Sequence, residues 1–440
     1  MRPLLQKYIS QVIVESIQPS KGQIDSALDL LQKIVKSSSE FKSHVFLVGG
    51  AVRDHVMGKE TKDLDIVIDL PEGGIRFAEY LAKRLGIFKQ GSNPVVYPKF
   101  GTAKIDLRGV KHNDVDLTGV DIEAVVTRTE VYEPGSRKPE ISFGTINQDV
   151  MRRDLTINSL VKDLTTGNVL DLTGKGFNDI KKGIIRTPGS ANAILEEDPL
   201  RILRAIRFTS RYKYKLDKEL ERSIKEKVSE LKNISKERIR DEFEKMIVNE
   251  NAPHAIKLLV DNNLMEFIIP EYAPDDIINK LLKKQDGKLS FTEMLIIMLH
   301  NLDPEVIDAS LRTLKVKNDI IKHVKTIIRA IQILKTNNAK NIVMKVGASL
   351  AKHNSLKYLD VLYIIMPELR NQITKLREFG KQPVIFFDGG YLIKTFNLKP
   401  GPEIGKLISL QRELWFNDPS ITKEKVAKFI RAKNADDNIR

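Results

Sequence analysis

Two neighbouring stretches, Phe46-Leu-Val-Gly-Gly-Ala-Val-Arg-Asp54 and Asp63-Leu-Asp-Ile-Val-Ile68, decide how this chain folds. The first reads as a buried strand, a two-glycine turn and the start of a helix. Gly49 and Gly50 let backbone N–H groups come close to an anion, the helix N-terminus adds a favourable field, and Arg53 offers a fork of donors. In the second stretch, residues two apart on a strand project from one face, so the carboxylates of Asp63 and Asp65 converge. Like charges that close repel unless a cation lies between them, and hard oxygen ligands suit magnesium. A third acid, Glu123, sits in the apolar strand Gly119-Val-Asp-Ile-Glu-Ala-Val-Val126, on the same face as Asp121 and Val125; Asp121 is the competing candidate.

Each piece has a plain alternative. A glycine pair before a helix is often simple turn chemistry, and two acids often mark a solvated strand end. Their combination is what points to a site.

Outward from this centre, residues 43–185 mix strands (His44–Val48, Leu64–Ile68, Val120–Thr127) with a helical stretch at Ile75–Leu85. Residues 1–42 carry helical spacing and end in Ser37-Ser38-Ser39, which reads as a linker. After Pro188 the chain has long amphipathic stretches, such as Pro199–Tyr212 and Lys218–Leu231, with no convincing strand alternation. The expected class is therefore α+β. An N-terminal helical extension (1–42) precedes a mixed-sheet head (43–185), and all-helical segments 186–270, 271–380 and 381–440 follow.

The 440 residues carry 72 Lys plus Arg against 58 Asp plus Glu, a formal charge of +14 that attracts a polyanion such as RNA. There is no cysteine, which removes disulfides, zinc-thiolate sites and thiol nucleophiles from consideration. Without an apolar run of membrane-spanning length or a signal-peptide pattern, a cytoplasmic protein is expected.

At this point the residues resemble the class II nucleotidyltransferases, the family of bacterial and eukaryotic CCA-adding enzymes and bacterial poly(A) polymerases. The resemblance rests on L-V-G-G-A-V-R-D at 47–54, D-L-D at 63–65, F-G-T-A at 100–103 and R-T-E-V-Y-E-P-G at 128–135. It continues through R-R-D-L-T-I-N-S at 152–159, E-D-P-L-R-I-L-R-A-I-R-F at 197–208, E-R-I-R-D-E at 237–242 and P-G-P-E-I-G at 400–405. It implies a catalytic head, a nucleotide-selecting neck, a body and an RNA-binding tail.

The resemblance also implies roles. Asp63 and Asp65 match the metal ligands, with two magnesium ions expected, and Glu123 the third catalytic carboxylate. Gly49, Gly50 and Arg53 match the contacts to the incoming triphosphate. Arg152, Arg153, Asp154 and Asn158 fall in the element that holds ribose and phosphate. Asp198, Arg201 and Arg204, spaced by three, are expected on one helix face. Asp198 can accept from an exocyclic amine while Arg201 donates to a ring acceptor, imitating a Watson–Crick partner for cytosine or adenine. Arg204 and Arg207 are assigned to triphosphate or primer, with Arg211 extending the stripe. An ordinary ion pair explains the Asp198–Arg201 spacing equally well.

The implied reaction is addition of C and A from CTP and ATP to a tRNA 3′ end. Poly(A) synthesis, CC-only or A-only addition, and an inactive RNA-binding protein are the alternatives. Lys315, Lys317, Lys322 and Lys325, with Lys399, Lys406 and Lys428, are candidates for phosphate contacts. His300 has no adjacent Asp and reads as an ordinary core or surface histidine.

Overall fold

The structure, a computed structural model, describes residues 19–61, 63–131, 140–275, 289–336, 346–347, 349–350, 352–379, 385–396, 400–418 and 421–437. It forms two compact units, Met1–Leu231 and Lys232–Arg440.

The first unit begins α1 (Lys21–Ser37), β1 (Val45–Val48), α2 (Gly50–Val56), β2 (Leu64–Ile68), α3 (Gly73–Arg84), β3 (Val95–Tyr97) and β4 (Thr102–Asp106). It continues β5 (Lys111–His112), β6 (Val115–Asp116), β7 (Asp121–Val126), β8 (Arg128–Val131), β9 (Glu140–Phe143), α4 (Ile146–Met151), β10 (Val161–Asp163) and β11 (Val169–Leu170). It closes with α5 (Gly176–Lys182), β12 (Ile184–Ile185), α6 (Ala191–Glu197), α7 (Leu200–Tyr212), β13 (Lys215–Leu216) and α8 (Lys218–Lys227).

Seven strands form one mixed sheet in the order β11-β10-β1-β2-β7-β4-β3, in which β2 and β7 pair in parallel and the other neighbours antiparallel. One face is buried: Leu47, Ile66, Ile105 and Ile122 pack with Leu31 of α1 and with Phe77 and Leu81 of α3. Helix α3 lies so close to the sheet that a Cβ on Gly74 would stand 2.3 Å from the Gly101 carbonyl oxygen, which explains a glycine there. The opposite face carries a small cluster of Phe46, Val48, Val67 and Val150 and otherwise turns the polar members of β2, β7 and β4 outward.

The expectation that Ser37–Ser39 is a linker does not hold. Ile24, Ala27, Leu31, Ile34 and Val35 of α1 belong to the same core as the sheet. Ser38 is the C-cap of α1, and its hydroxyl accepts from the Phe41 amide. The polar segment Arg108–Gly119 forms the hairpin β5–β6 and docks on this helix. Gln23 donates to the carbonyls of Asp116 (2.8 Å) and Thr118 (3.1 Å), Ser26 to that of His112 (2.9 Å), and His112 meets Asp29 at 2.7 Å.

The expectation of an all-helical chain after Pro188 also needs amendment, because Lys215–Leu216 forms a short strand parallel to Ile184–Ile185. Two residues leave no alternation to read in the sequence.

In the second unit the described secondary structure is helical: α9 (Lys236–Ile247), α10 (Ala252–Asp261), α11 (Phe291–Leu299), α12 (Pro304–Thr313), α13 (Asn318–Thr336), α14 (Leu359–Ile365), α15 (Arg370–Phe379), α16 (Gly389–Phe396), α17 (Pro402–Asn417) and α18 (Lys423–Asp437). His300 is buried after α11, its Nδ1 3.0 Å from the Ile297 carbonyl, as a core histidine should be. Lys325 is not a free phosphate donor as expected, since it pairs with Asp308 at 2.9 Å and Glu305 at 3.4 Å. Lys399 lies outside the described residues, whereas Lys315, Lys317, Lys322, Lys406 and Lys428 are exposed.

Because α1 is part of the head core, Leu31→Ala should destabilise the first unit by about 2–4 kcal/mol. Urea unfolding followed by circular dichroism measures this; a midpoint unchanged from wild type would make α1 an appendage.

Candidate active site

The glycine turn, the carboxylates and the arginines meet on the open face of the sheet. Gly49 has φ +69°, in the left-handed region that favours glycine, and a Cβ built there would lie 3.9 Å from the Asp65 carboxylate. Parallel pairing sets Asp65 opposite Glu123, so the two carboxylates share a face on adjacent strands, with Asp63 one step ahead of β2. Burial, then the charges of Glu123 and Asp63, push the Asp65 carboxyl up to about 6, against the opposing pull of Arg153. Asp121, the competing third acid, instead takes the ammonium of Lys104 at 2.7 Å.

The donor chemistry fits a hard divalent cation, because a crowded oxygen-only set is relieved by positive charge. Among the described residues no three Asp, Glu or His side chains stand close enough to enclose an ion by themselves. A divalent cation bound there would take its remaining ligands from outside these side chains.

Gly49, Gly50, Arg53, Asp63, Asp65, Arg152, Arg153, Asp154, Asn158, Asp198, Arg201, Arg204, Arg207 and Arg211 line one cleft of about 480 Å³, within the range of small-ligand pockets. Two further lining residues escaped the sequence reading. Asp149 is buried and grips both Arg152 (2.9 Å) and Arg153 (2.9 Å); its place four residues after Thr145, the N-cap of α4, was the available signal. Both guanidinium charges hold its carboxyl below the usual range even though burial pushes it up. Phe208 supplies an aromatic face, with the Arg53 guanidinium 5.1 Å from its ring centre.

Arg53 and Asp154 behave differently from the expected ligand contacts. Arg53 is 4% exposed and donates to Asp54 (2.9 Å) and to the Asn158 amide oxygen (2.6 Å). Asn158 donates in turn to Asp154 at 3.2 Å, and Asp154 accepts from Arg204 at 2.8 and 2.6 Å and from the Leu155 amide at 2.8 Å. Burial pushes the Asp154 carboxyl up, but the Arg204 charge and the Asn158 hydrogen bond outweigh it and hold the group below its usual range. With its acceptor positions committed inside the protein, Asp154 aims Arg204 rather than waiting open for a ribose.

The spacing of Arg201, Arg204 and Arg207 does form one stripe on α7. Asp198 is not on that helix face. Extended backbone (φ −144°, ψ 97°) ends α6 there, because the following Pro199 disfavours helical geometry at the preceding residue. Its carboxylate accepts from the Leu200 amide at 3.2 Å, while Arg201 donates to Glu197 (2.7 Å) and to the Ile194 carbonyl (3.0 Å). Glu123 lines an adjoining hollow with Tyr97, Phe100, Thr102, Lys104 and Arg128.

Comparison with known proteins gives three consecutive family matches: the Poly A polymerase head domain at residues 45–186, an RNA and SrmB binding site of polymerase A at 213–276, and tRNA nucleotidyltransferase domain 2 at 290–414. The chain belongs to the class II nucleotidyltransferase family. Among its relatives is the CCA-adding enzyme of Lactobacillus helveticus, 28% identical over 88% of this chain and 92% of that one. The tRNA nucleotidyltransferase of Schizosaccharomyces pombe is 34% identical over 53% of this chain, which spans about half (49%) of that relative's length. A solved CCA-adding enzyme from Bacillus stearothermophilus in complex with CTP shares the fold at TM-score 0.64 and 21% identity, covering 94% of this chain and 98% of its own.

Two outcomes follow for this nucleotidyltransferase. Asn158→Ala leaves Arg53 and Asp154 each short of a partner and should cost roughly 1–3 kcal/mol in urea unfolding; no loss would mean the bridge contributes nothing. The native value of Asp65 lies above its ordinary 3.8, so the folded protein holds that proton more tightly and loses stability as pH rises from about 4 through 6. Asp65→Asn should therefore raise metal-free stability at pH 7.5 by about 1–2 kcal/mol, with little effect near pH 4. A variant no more stable than wild type at pH 7.5 would contradict the raised Asp65 value that burial and the neighbouring carboxylates produce.

Proposed function

We propose that this nucleotidyltransferase completes the CCA end of tRNA, adding C and A from CTP and ATP with release of pyrophosphate. The observation that carries the reading is one cleft in which crowded carboxylates face a wall of arginines and end at Asp198 and Arg201. Relatives covering 88% and 96% of the chain are called CCA-adding enzymes. A Thermotoga maritima neighbour of the same fold was solved with tRNA, and others with CTP or ATP.

In this reading Asp63 and Asp65 are the ligands of two magnesium ions and Glu123 stands nearest the primer hydroxyl. What such ions supply is neutralisation of the triphosphate and activation of the 3′-hydroxyl. Arg152 and Arg153, held by Asp149, and Arg204, held by Asp154, receive the triphosphate, with Arg207 beside them. Gly49 keeps the backbone turn open beside Asp65, Gly50 begins the helix, and Arg53 braces this turn through Asn158. The Asp198 carboxylate accepts from the exocyclic amine that cytosine and adenine share, and Arg201 donates to the adjacent ring acceptor, so the protein serves as its own template. Exposed lysines of the helical unit contact RNA phosphates without reading sequence.

The test is incorporation of labelled CTP and ATP, separately and together, into tRNA ending before CCA and into an unrelated RNA. Two C and one A on tRNA alone, then arrest, are expected. Unlimited A on both RNAs would instead identify a poly(A) polymerase. The double variant Asp63→Ala/Asp65→Ala should abolish incorporation while sparing RNA binding in a filter assay, and unchanged incorporation would refute the metal-site assignment.

A further inference from the structure

Beyond Glu123 the open face of the sheet continues to its edge, and there it changes character. Cross-strand register runs Asp65, Glu123, Lys104, Val95 in one row and Val125, Thr102, Tyr97 in the next. These positions share a face because residues two apart on a strand do. Tyr97 on edge strand β3 is 47% exposed and Phe100, in the following turn, 55% exposed, whereas Phe41 and Phe77 of the same unit are buried in its core. Together with Thr102, Lys104, Glu123 and Arg128 they line the hollow beside the carboxylates. The arginine cleft lies on the other side of Asp65.

We infer that this edge face, with Tyr97 and Phe100 as a stacking surface, receives the single-stranded 3′ end of the RNA primer and holds a base just upstream of the reacting hydroxyl. The inference rests on the function proposed above and adds to it a primer subsite. Three features favour RNA as the occupant. The face is continuous with Glu123, only two strand spacings of about 5 Å from β3, so a base on the rings keeps the chain end within reach of the carboxylates. Cations border it: Arg128 lines the hollow, and the Lys104–Asp121 pair is half-exposed on both sides (51% and 46%), the kind of contact that exchanges readily for a phosphate. Finally, the primer end changes as each nucleotide is added, so its holder must tolerate different bases; stacking does this because every base has a π-face, while hydrogen-bond readout does not.

The experiment uses the full chain and the double variant Tyr97→Ala/Phe100→Ala, with Tyr97→Phe as the conservative control. Both rings are exposed, so the melting temperature should stay at the wild-type value. KM for a tRNA lacking its CCA end should rise about tenfold or more, with KM for CTP and kcat nearly unchanged, and Tyr97→Phe should behave as wild type. In a second readout that needs no turnover, 2-aminopurine next to the primer 3′ end should be quenched on binding wild type and not on binding the double variant. Equal primer KM and equal quenching would overturn the inference, as would a rise confined to the KM for CTP. If wild type extends no RNA, the proposed function falls by itself, and the quenching still decides the platform.

Discussion

The part-buried pair between Asp154 and Arg204 is the constraint on which the arginine side of the cleft depends. Removing one member of a buried pair typically costs about 3–5 kcal/mol, toward the lower end here because Arg204 is 34% exposed. The pair does not stand alone. Arg204 of α7 reaches Asp154, Asn158 passes the contact to Arg53 of α2, Arg53 holds Asp54, and the Tyr212 hydroxyl, again on α7, closes on Asp54 at 3.3 Å. The ring ties helix α7 to the glycine turn at two points, and Phe208 and Tyr212 stack on Arg53 within it. Partners shared around such a loop polarise one another and fix one arrangement of the cleft.

The second constraint is the parallel pairing of β2 with β7, which places Asp65 against Glu123. In a sheet that supplied only structure, this would be a poor choice, because burial, and after it the charges of Glu123 and Asp63, make the Asp65 proton hard to lose. A site that binds cations with phosphates makes use of the same strain: the repulsion that weakens the empty arrangement is what a cation relieves. Behind these strands the core of α1 and α3 leaves the carboxylates little freedom to separate.

Much of this was legible because it is local. The strand, turn and helix at 46–54 and the i, i+2 acids at 63–65 follow from periodicity and from glycine's backbone freedom, and the structure gives β1, α2 and β2 there. The N-terminal helix misread as an extension failed for a physical reason. Its amphipathic face says that it packs, but not on what, and a serine-rich stop looks the same whether the next element is a linker or a tight turn into the same core. The hairpin at 111–116 was illegible for a similar reason: it is held by side-chain bonds from α1, far away in sequence.

By itself, then, the sequence determined the elements around the site and which residue types could do the chemistry: acids two apart, glycines at a turn, arginines three apart on a helix. What only tertiary structure decided was the partner of each charge. Asp154 and Arg53 match ligand contacts in the resemblance but are committed to Arg204 and Asn158, 50 and 105 residues away in the sequence, whereas the grip of Asp149 on its two arginines and the extended Asp198 before Pro199 are local arrangements. Spacing along a chain fixes which face a side chain takes and which local pairs form, whereas the pairing of Arg204 with Asp154 and of Arg53 with Asn158 depends on elements brought together from 50 and 105 residues away, and those set whether a charge is held or offered.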